Sequence, residues 1–184
     1  CMILSSVLFA GNPEGHDIKI TIKGFKPGST GMLGYYYADS KRIADSAKVD
    51  EEGKMVFKGK DKYPQGFYFI YQNSKLYFEF IVDDTQHFSI ETDTVDQVNS
   101  TKIKGSEENN VLFNYQRFIA AKGKLAKPIQ SKLKKTKNKD SIKILTEEMT
   151  KIDNEVRDYM DGIIKNNSTQ FISKFIKATK EIEV

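Results

Sequence analysis

A chain of 184 residues is long enough for one domain with its own core, or for one domain carrying a helical appendage. Its hydrophobic content of 39% suits a globular protein, and no apolar run is long enough for a membrane-crossing helix. The net charge of +4 is local: residues 122–139 hold eight lysines and no acid, and the rest of the chain has 21 basic against 25 acidic residues, which excludes a generally basic surface.

The first ten residues, Cys1 to Ala10, are uncharged and apolar, and Gly11-Asn12-Pro13-Glu14-Gly15 then turns polar. This pattern is expected at the end of a signal peptide, with Ala10 as the small residue before cleavage, although Leu8 stands where a second small residue is usual. A buried first strand is the rival reading. Cys1 is the only cysteine, and the apolar run after it fits a leader better than a lipidated N-terminus. The mature chain is then expected to have no thiol, and so no disulfide, cysteine metal site or thiol chemistry of its own.

From His16 to Gly105 the hydrophobic period is two. Ile18, Ile20 and Ile22 alternate with polar residues and predict a strand with one buried face, which Phe25-Lys26-Pro27-Gly28 ends. A tyrosine-rich strand follows at Met32 to Ala38. Within Arg42 to Gly59, the runs Ile43 to Val49 and Lys54 to Lys58 flank an acidic, glycine-ended turn and predict a β-hairpin. Gln65 to Gln72 and Lys75 to Val82 predict a second hairpin, turning at Asn73-Ser74 and apolar on both faces. Gln86 to Thr92 and Thr101 to Lys104 complete about eight strands, as in an antiparallel β-sandwich.

After Gly105 the period becomes helical. Ser106 is expected as an N-cap, and Val111, Leu112, Tyr115, Phe118 and Ile119 form one stripe that Gly123 should end. Pro128 is read as opening a short second helix and Asp140 as capping a long third, with Leu145, Met149, Ile152, Val156, Tyr159 and Ile163 on its apolar face. Ser168 should start a fourth, with Phe171, Ile172, Phe175 and Ile176 facing inward. The expected fold class is α+β: an antiparallel β-sandwich over 16–105, a helical region of three to four helices over 106–180, and a linker at 181–184.

The sequence offers little catalytic chemistry. His16 and His87 are the only histidines; His87 and Glu91 on one strand stand about 13 Å apart, too far to share an ion. Asp83-Asp84 and Asp50-Glu51-Glu52 are turn acids, whose side chains ordinarily serve the turn itself. A carboxylate pair at Asp83 and Asp84, or calcium at Asp83, Asp84 and Asp93, is the catalytic or metal reading, and it lacks EF-hand spacing. Gly28, Gly31 and Gly34 are spaced for turns and a strand, not for a phosphate loop. The lysine stretch lacks arginine and aromatic residues, so nucleic acid is not expected; a solvated face is favoured over weak attraction to anionic lipid or an acidic partner. No cofactor and no metal is expected.

The order of these features resembles a family. A strand ending at Ile22-Lys23-Gly24, a tyrosine-rich strand, Asp45-Ser46-Ala47-Lys48-Val49-Asp50, Gly53-Lys54-Met55-Val56-Phe57-Lys58-Gly59, Gly66-Phe67-Tyr68, Phe80-Ile81-Val82-Asp83-Asp84 and Ile103-Lys104-Gly105-Ser106-Glu107-Glu108-Asn109 occur in sequence, and Asn166-Asn167-Ser168 precedes Phe171. This is similar to the N-terminal β-sandwich and helical region of TlpA/peroxiredoxin-like thiol-disulfide oxidoreductases from Bacteroidetes. The resemblance implies export to the periplasm or cell envelope and a following thioredoxin-like domain with Cys-x-x-Cys. Those cysteines map onto no residue of this chain, so the resemblance implies no enzyme activity within it. Asp45-Ser46-Ala47, Asp93-Thr94-Val95 and Asp140-Ser141-Ile142 also resemble short O-glycosylation acceptors of Bacteroidetes.

The leading expectation is a non-catalytic module that positions, dimerises or selects substrates for that domain. Its working surface is expected on an outer aromatic face formed by Tyr68, Ile70, Tyr77 and Ile81. The alternative is a stand-alone envelope sandwich that binds glycan or peptide through Tyr35, Tyr36 and Tyr37.

Overall fold

The computed structural model describes residues 14–182. The expected leader at 1–10, with Cys1, lies outside them. In chain order the elements are β1 (His16–Lys23), β2 (Thr30–Tyr37), β3 (Ser40–Lys48), β4 (Lys54–Gly59), β5 (Gly66–Gln72), β6 (Lys75–Val82), β7 (His87–Asp93), α1 (Gln97–Ser100), β8 (Lys102–Lys104), α2 (Glu107–Lys135), α3 (Lys139–Asn166) and α4 (Phe171–Ile182). The fold class is α+β, a β-sandwich followed by helices, as the hydrophobic periods imply. The described residues divide into two compact units: residues 14–94 with 102–106, and residues 95–101 with 107–182.

In the sandwich unit, one sheet has the order β4-β1-β7-β8 and the other β3-β2-β5-β6. Alternation on β1 turns Ile18, Ile20 and Ile22 inward, where all three are fully buried. Phe57 and Met55 of β4 and Phe88 and Ile90 of β7 lie beside them in register. Removing each such side chain from water contributes about 1.5–3 kcal/mol. Leu33, Tyr68, Ile70, Phe78 and Phe80 line the facing sheet, and the Phe80 and Phe88 rings meet edge-on at 6.0 Å across the core. Gly31 lets β2 approach the Met55 sulfur, into which any Cβ would project.

Two pairings depart from expectation. The run from Arg42 to Gly59 is not a hairpin. Its turn closes as predicted: the Asp50 N–H donates to the Lys54 carbonyl at 3.0 Å, the Gly53 N–H to the Asp50 carbonyl at 3.1 Å, and Gly53 takes a φ of +82°. Beyond the turn the strands separate, β3 pairing with β2 and β4 with β1 in the other sheet. A period of two fixes which face is buried, but it does not choose the neighbour. The segment is therefore a corner between layers. The second departure is β1 with β7, a parallel pair in a fold read as antiparallel throughout. The β5–β6 hairpin forms as read, with Asn73 and Ser74 both at positive φ (50° and 61°), as a tight type I′ turn requires.

In the helical unit, α2 runs unbroken through Gly123 and Pro128, so neither the predicted end nor a second short helix exists. Proline in a helix interior costs about 3 kcal/mol and glycine about 1. Packing against α3 overrides them: Phe118 stacks on Tyr159 with centroids 4.0 Å apart, and Lys122 pairs with Glu155. The cap of α3 is Asn138 rather than Asp140; its side chain accepts from the Ser141 N–H at 2.9 Å, and Asp140 lies in the first turn. Helix α4 begins at Phe171, after a turn closed by the Gln170 N–H on the Asn167 carbonyl at 2.9 Å. It continues to Ile182, so the coil expected from Glu181 is helical there.

The core of this unit is Leu112, Phe113, Met160, Ile163, Ile172 and Ile176. The buried Glu108 carboxylate accepts from the Phe171 N–H at 2.8 Å and the Ile172 N–H at 3.1 Å, so the first turn of α2 caps α4. The buried residues of α2 and α3 all lie at this end of the pair, and the stretch toward their connection is half-exposed or exposed.

Candidate functional site

The four residues expected on one outer face do not share it. Tyr68 pairs with Phe80 and Ile70 with Phe78, on the inner side of their sheet, whereas Ile81 pairs with Phe67 on the other side. Tyr68, Ile70 and Ile81 are at most 2% exposed. Tyr77 lies at a break in the β5–β6 register and turns its ring edge-on to Phe25 at 4.6 Å. Tyr68 is committed to the core: its hydroxyl donates to the Pro64 carbonyl at 3.0 Å and its ring lies between Tyr35 and Tyr63. Burial, with a smaller contribution from Tyr35, pushes its phenol up to about 12.

Alternation likewise divides the three consecutive tyrosines. Tyr35 turns in toward Tyr68, while Tyr36 faces out and its hydroxyl donates to the Glu79 carboxylate. Burial and that carboxylate push the Tyr36 phenol up to about 12. Lys41 stands 5.7 Å above the Tyr36 ring, and the Phe69 ring lies 5.1 Å from it over Gly34, where a Cβ would enter the ring. Arg42 lies 4.2 Å over Tyr37, which is 57% exposed. Tyr36 and Tyr37 thus stand exposed on opposite faces of β2, each with a cation stacked on its ring. Both rings are already engaged by side chains of the same unit.

Two of the turn acids are taken up by backbone amides. Asp83 Oδ1 accepts from the Thr85 N–H at 2.7 Å. Burial pushes its carboxyl above the usual value against that bond. Asp50 Oδ1 accepts from the N–H groups of Lys54 (2.7 Å) and Glu52 (3.1 Å), which hold its carboxyl below the usual range. Among the described residues no group of three or more His, Cys, Asp or Glu side chains could hold a metal ion. His87 Nε2 stands 3.3 Å from the Glu14 carbonyl. His16 is buried, stacks on Tyr63 at 4.0 Å and places Nδ1 2.7 Å from the Asp61 carbonyl.

Two polar residues with no sequence signal prove central. Gln86, 2% exposed, pins the β4–β5 loop: its Nε2 donates to the carbonyls of Tyr63 and Asp83 at 2.8 and 2.9 Å, and its Oε1 accepts from the Tyr63 N–H at 2.8 Å. Asp17 lies on the outer face of β1, with Lys58 at 3.2 Å and Lys19 at 3.3 Å. Burial raises its carboxyl, but the two lysines outweigh that and hold it below its ordinary value of 3.8. An open groove of about 320 Å³ runs from Asp17 past His87, Ser89 and Lys104. Only a strand register could have brought these residues together.

A family model described as "Domain of unknown function (DUF4369)" matches residues 16–112, more than half the chain. The chain belongs to the DUF4369 family. None of the curated proteins and none of the solved structures matches it. The DUF4369 match covers the sandwich and extends into the first turns of α2, through Glu108 and Leu112. The described part of the chain thus joins a domain of unknown function to helices none of which is long and apolar enough to cross a membrane.

Proposed function

We propose that this chain is a non-catalytic module of an exported thiol-disulfide oxidoreductase, positioning or dimerising a thioredoxin-like domain in the periplasm or cell envelope. The structural observation behind it is how the polar groups are used. Asp50, Asp83, Gln86 and Glu108 each close a turn, clamp a loop or cap a helix, the duties of a scaffold. The link to an oxidoreductase rests on the resemblance in the order of motifs from Ile22 to Phe171. In the parent the Cys-x-x-Cys of the thioredoxin-like domain carries the thiol chemistry, and this chain supplies geometry.

The downstream reading frame is the first test. A Cys-x-x-Cys following a strand is expected there, and a stop codon directly after Val184 would overturn the reading. In the parent protein, insulin-reduction activity should survive Asp83→Asn and Asp84→Asn. A loss of turnover with folding intact would instead assign chemistry to this module.

The exposed Tyr37 ring supports the second reading, a ligand-binding sandwich for glycan or peptide. Its test is glycan- or peptide-array binding that disappears in Tyr37→Ala.

A further inference from the structure

The lysine stretch acquires a location in the fold. Phe118 against Tyr159 and Lys122 against Glu155 show that α2 and α3 run antiparallel, and the same register sets Lys135 beside Ile142 at the far end. That end lies about 25 Å along the helices from the Phe118–Tyr159 stack, at 1.5 Å per residue. Residues 132–143 there hold Lys132, Lys134, Lys135, Lys137, Lys139 and Lys143 against a single acid, Asp140. Among the described residues the ion pairs engage other lysines.

Helix stability accounts for only half of this charge. Lys132, Lys134 and Lys135 occupy the last turn of α2, where cations complement the helix dipole. Lys139 opens α3, where the dipole is positive and a cation is unfavourable, while Lys137 lies in the connection and Lys143 just past the first turn. Lys139 therefore works against the helix that it opens, and helix dipoles give no reason for Lys143. Beside it Ile142 and Ile144 are 38% and 56% exposed. Ile144 and Leu145 also line an open cleft of about 550 Å³ edged by Lys132 and Lys135 and, on its far side, by Glu148. Unpaired ammonium groups interleaved with exposed isoleucines match a surface that is anionic outside and apolar just beneath. A nucleic-acid strand would instead be met by stacking side chains, and residues 122–139 contain neither arginine nor an aromatic.

We propose that the α2–α3 tip docks on anionic phospholipid bilayers, its lysines on the headgroups and Ile144 at the acyl boundary. This goes beyond the oxidoreductase reading and does not depend on it. The test is co-sedimentation of the full chain with phosphatidylcholine vesicles, with and without 30% phosphatidylglycerol. A triple variant K135Q/K137Q/K139Q is compared with K151Q/K165Q/K174Q, which removes the same charge from exposed positions elsewhere on the helices. Both variants keep the apolar N-terminal residues, so those cannot produce a difference between them.

Binding only to the anionic vesicles is expected, weakened at least tenfold by the tip variant and less than threefold by the control. Ile144→Ser should weaken it further at 0.3 M salt, where the apolar contact is less masked by charge. Equal binding to both vesicle types, equal loss in both triple variants, or retention on polyglutamate or DNA without vesicle binding would each overturn the proposal.

Discussion

Ile20 and Ile144 carry the same side chain at opposite ends of the exposure range, 0% in the sandwich and 56% at the helical tip. Around Ile20, three strands bring Met55 and Ile90 into register, and every neighbour adds apolar burial. Around Ile144, the tip gathers six lysines within residues 132–143, of which Lys139 opposes the dipole of α3. The first environment is explained by folding; the second is not, which is why it is read as a contact surface. Apolar residues report function when they stay exposed among charges that the local structure does not need.

The contrast can be broken most forcefully with truncations. Ile20→Ala should cost about 2–5 kcal/mol in urea unfolding. Ile144→Ala should stay within about 0.5 kcal/mol of wild type. Comparable losses at both sites would erase the distinction.

A smaller effect is expected where the helical unit is tied together. Glu108→Ala removes the buried acceptor for the Phe171 and Ile172 amides and should cost about 1.5–3 kcal/mol. Exchange of those two amides should accelerate, while the Ser141 amide at the opposite end, capped by Asn138, keeps its rate.

The smallest effect concerns the sandwich's outer face. Because the Asp17 carboxyl is held below 3.8, its stabilisation is present above that pH and is lost as pH falls through the depressed folded value. Asp17→Asn should therefore cost at most about 1 kcal/mol at pH 7, less in high salt, and nothing once both states are protonated. A difference that persists at pH 2 would place the residue's contribution in packing rather than charge.

These regions also differ in how much the sequence disclosed. The isoleucine alternation of β1 and the Asn73-Ser74 turn were legible because strand period and turn chemistry are local. The corner at Asp50–Gly53 and the parallel β1–β7 pair were not, since partners more than thirty residues away decide them. The expected face of Tyr68, Ile70, Tyr77 and Ile81 failed for a related reason: Tyr68 and Ile81 lie on opposite sides of the sheet, and the register near Tyr77 is interrupted. Gly123 and Pro128 signalled breaks that the α2–α3 packing overrode. The scaffold duties of Gln86 and Glu108 left no trace in the sequence, because their partners lie in distant loops and helices. The lysine stretch was plain in the sequence, but its concentration at one helical tip required the antiparallel register.

Hydrogen–deuterium exchange of the full chain, with and without phosphatidylglycerol vesicles, tests the contrast most directly. The amides of β1 and β5 should be the slowest and unaffected by vesicles, while those of residues 132–144 should exchange early and become protected when vesicles are added. Vesicle-induced protection on the sandwich alone, or a tip as slow as β1 before vesicles are present, would contradict the account.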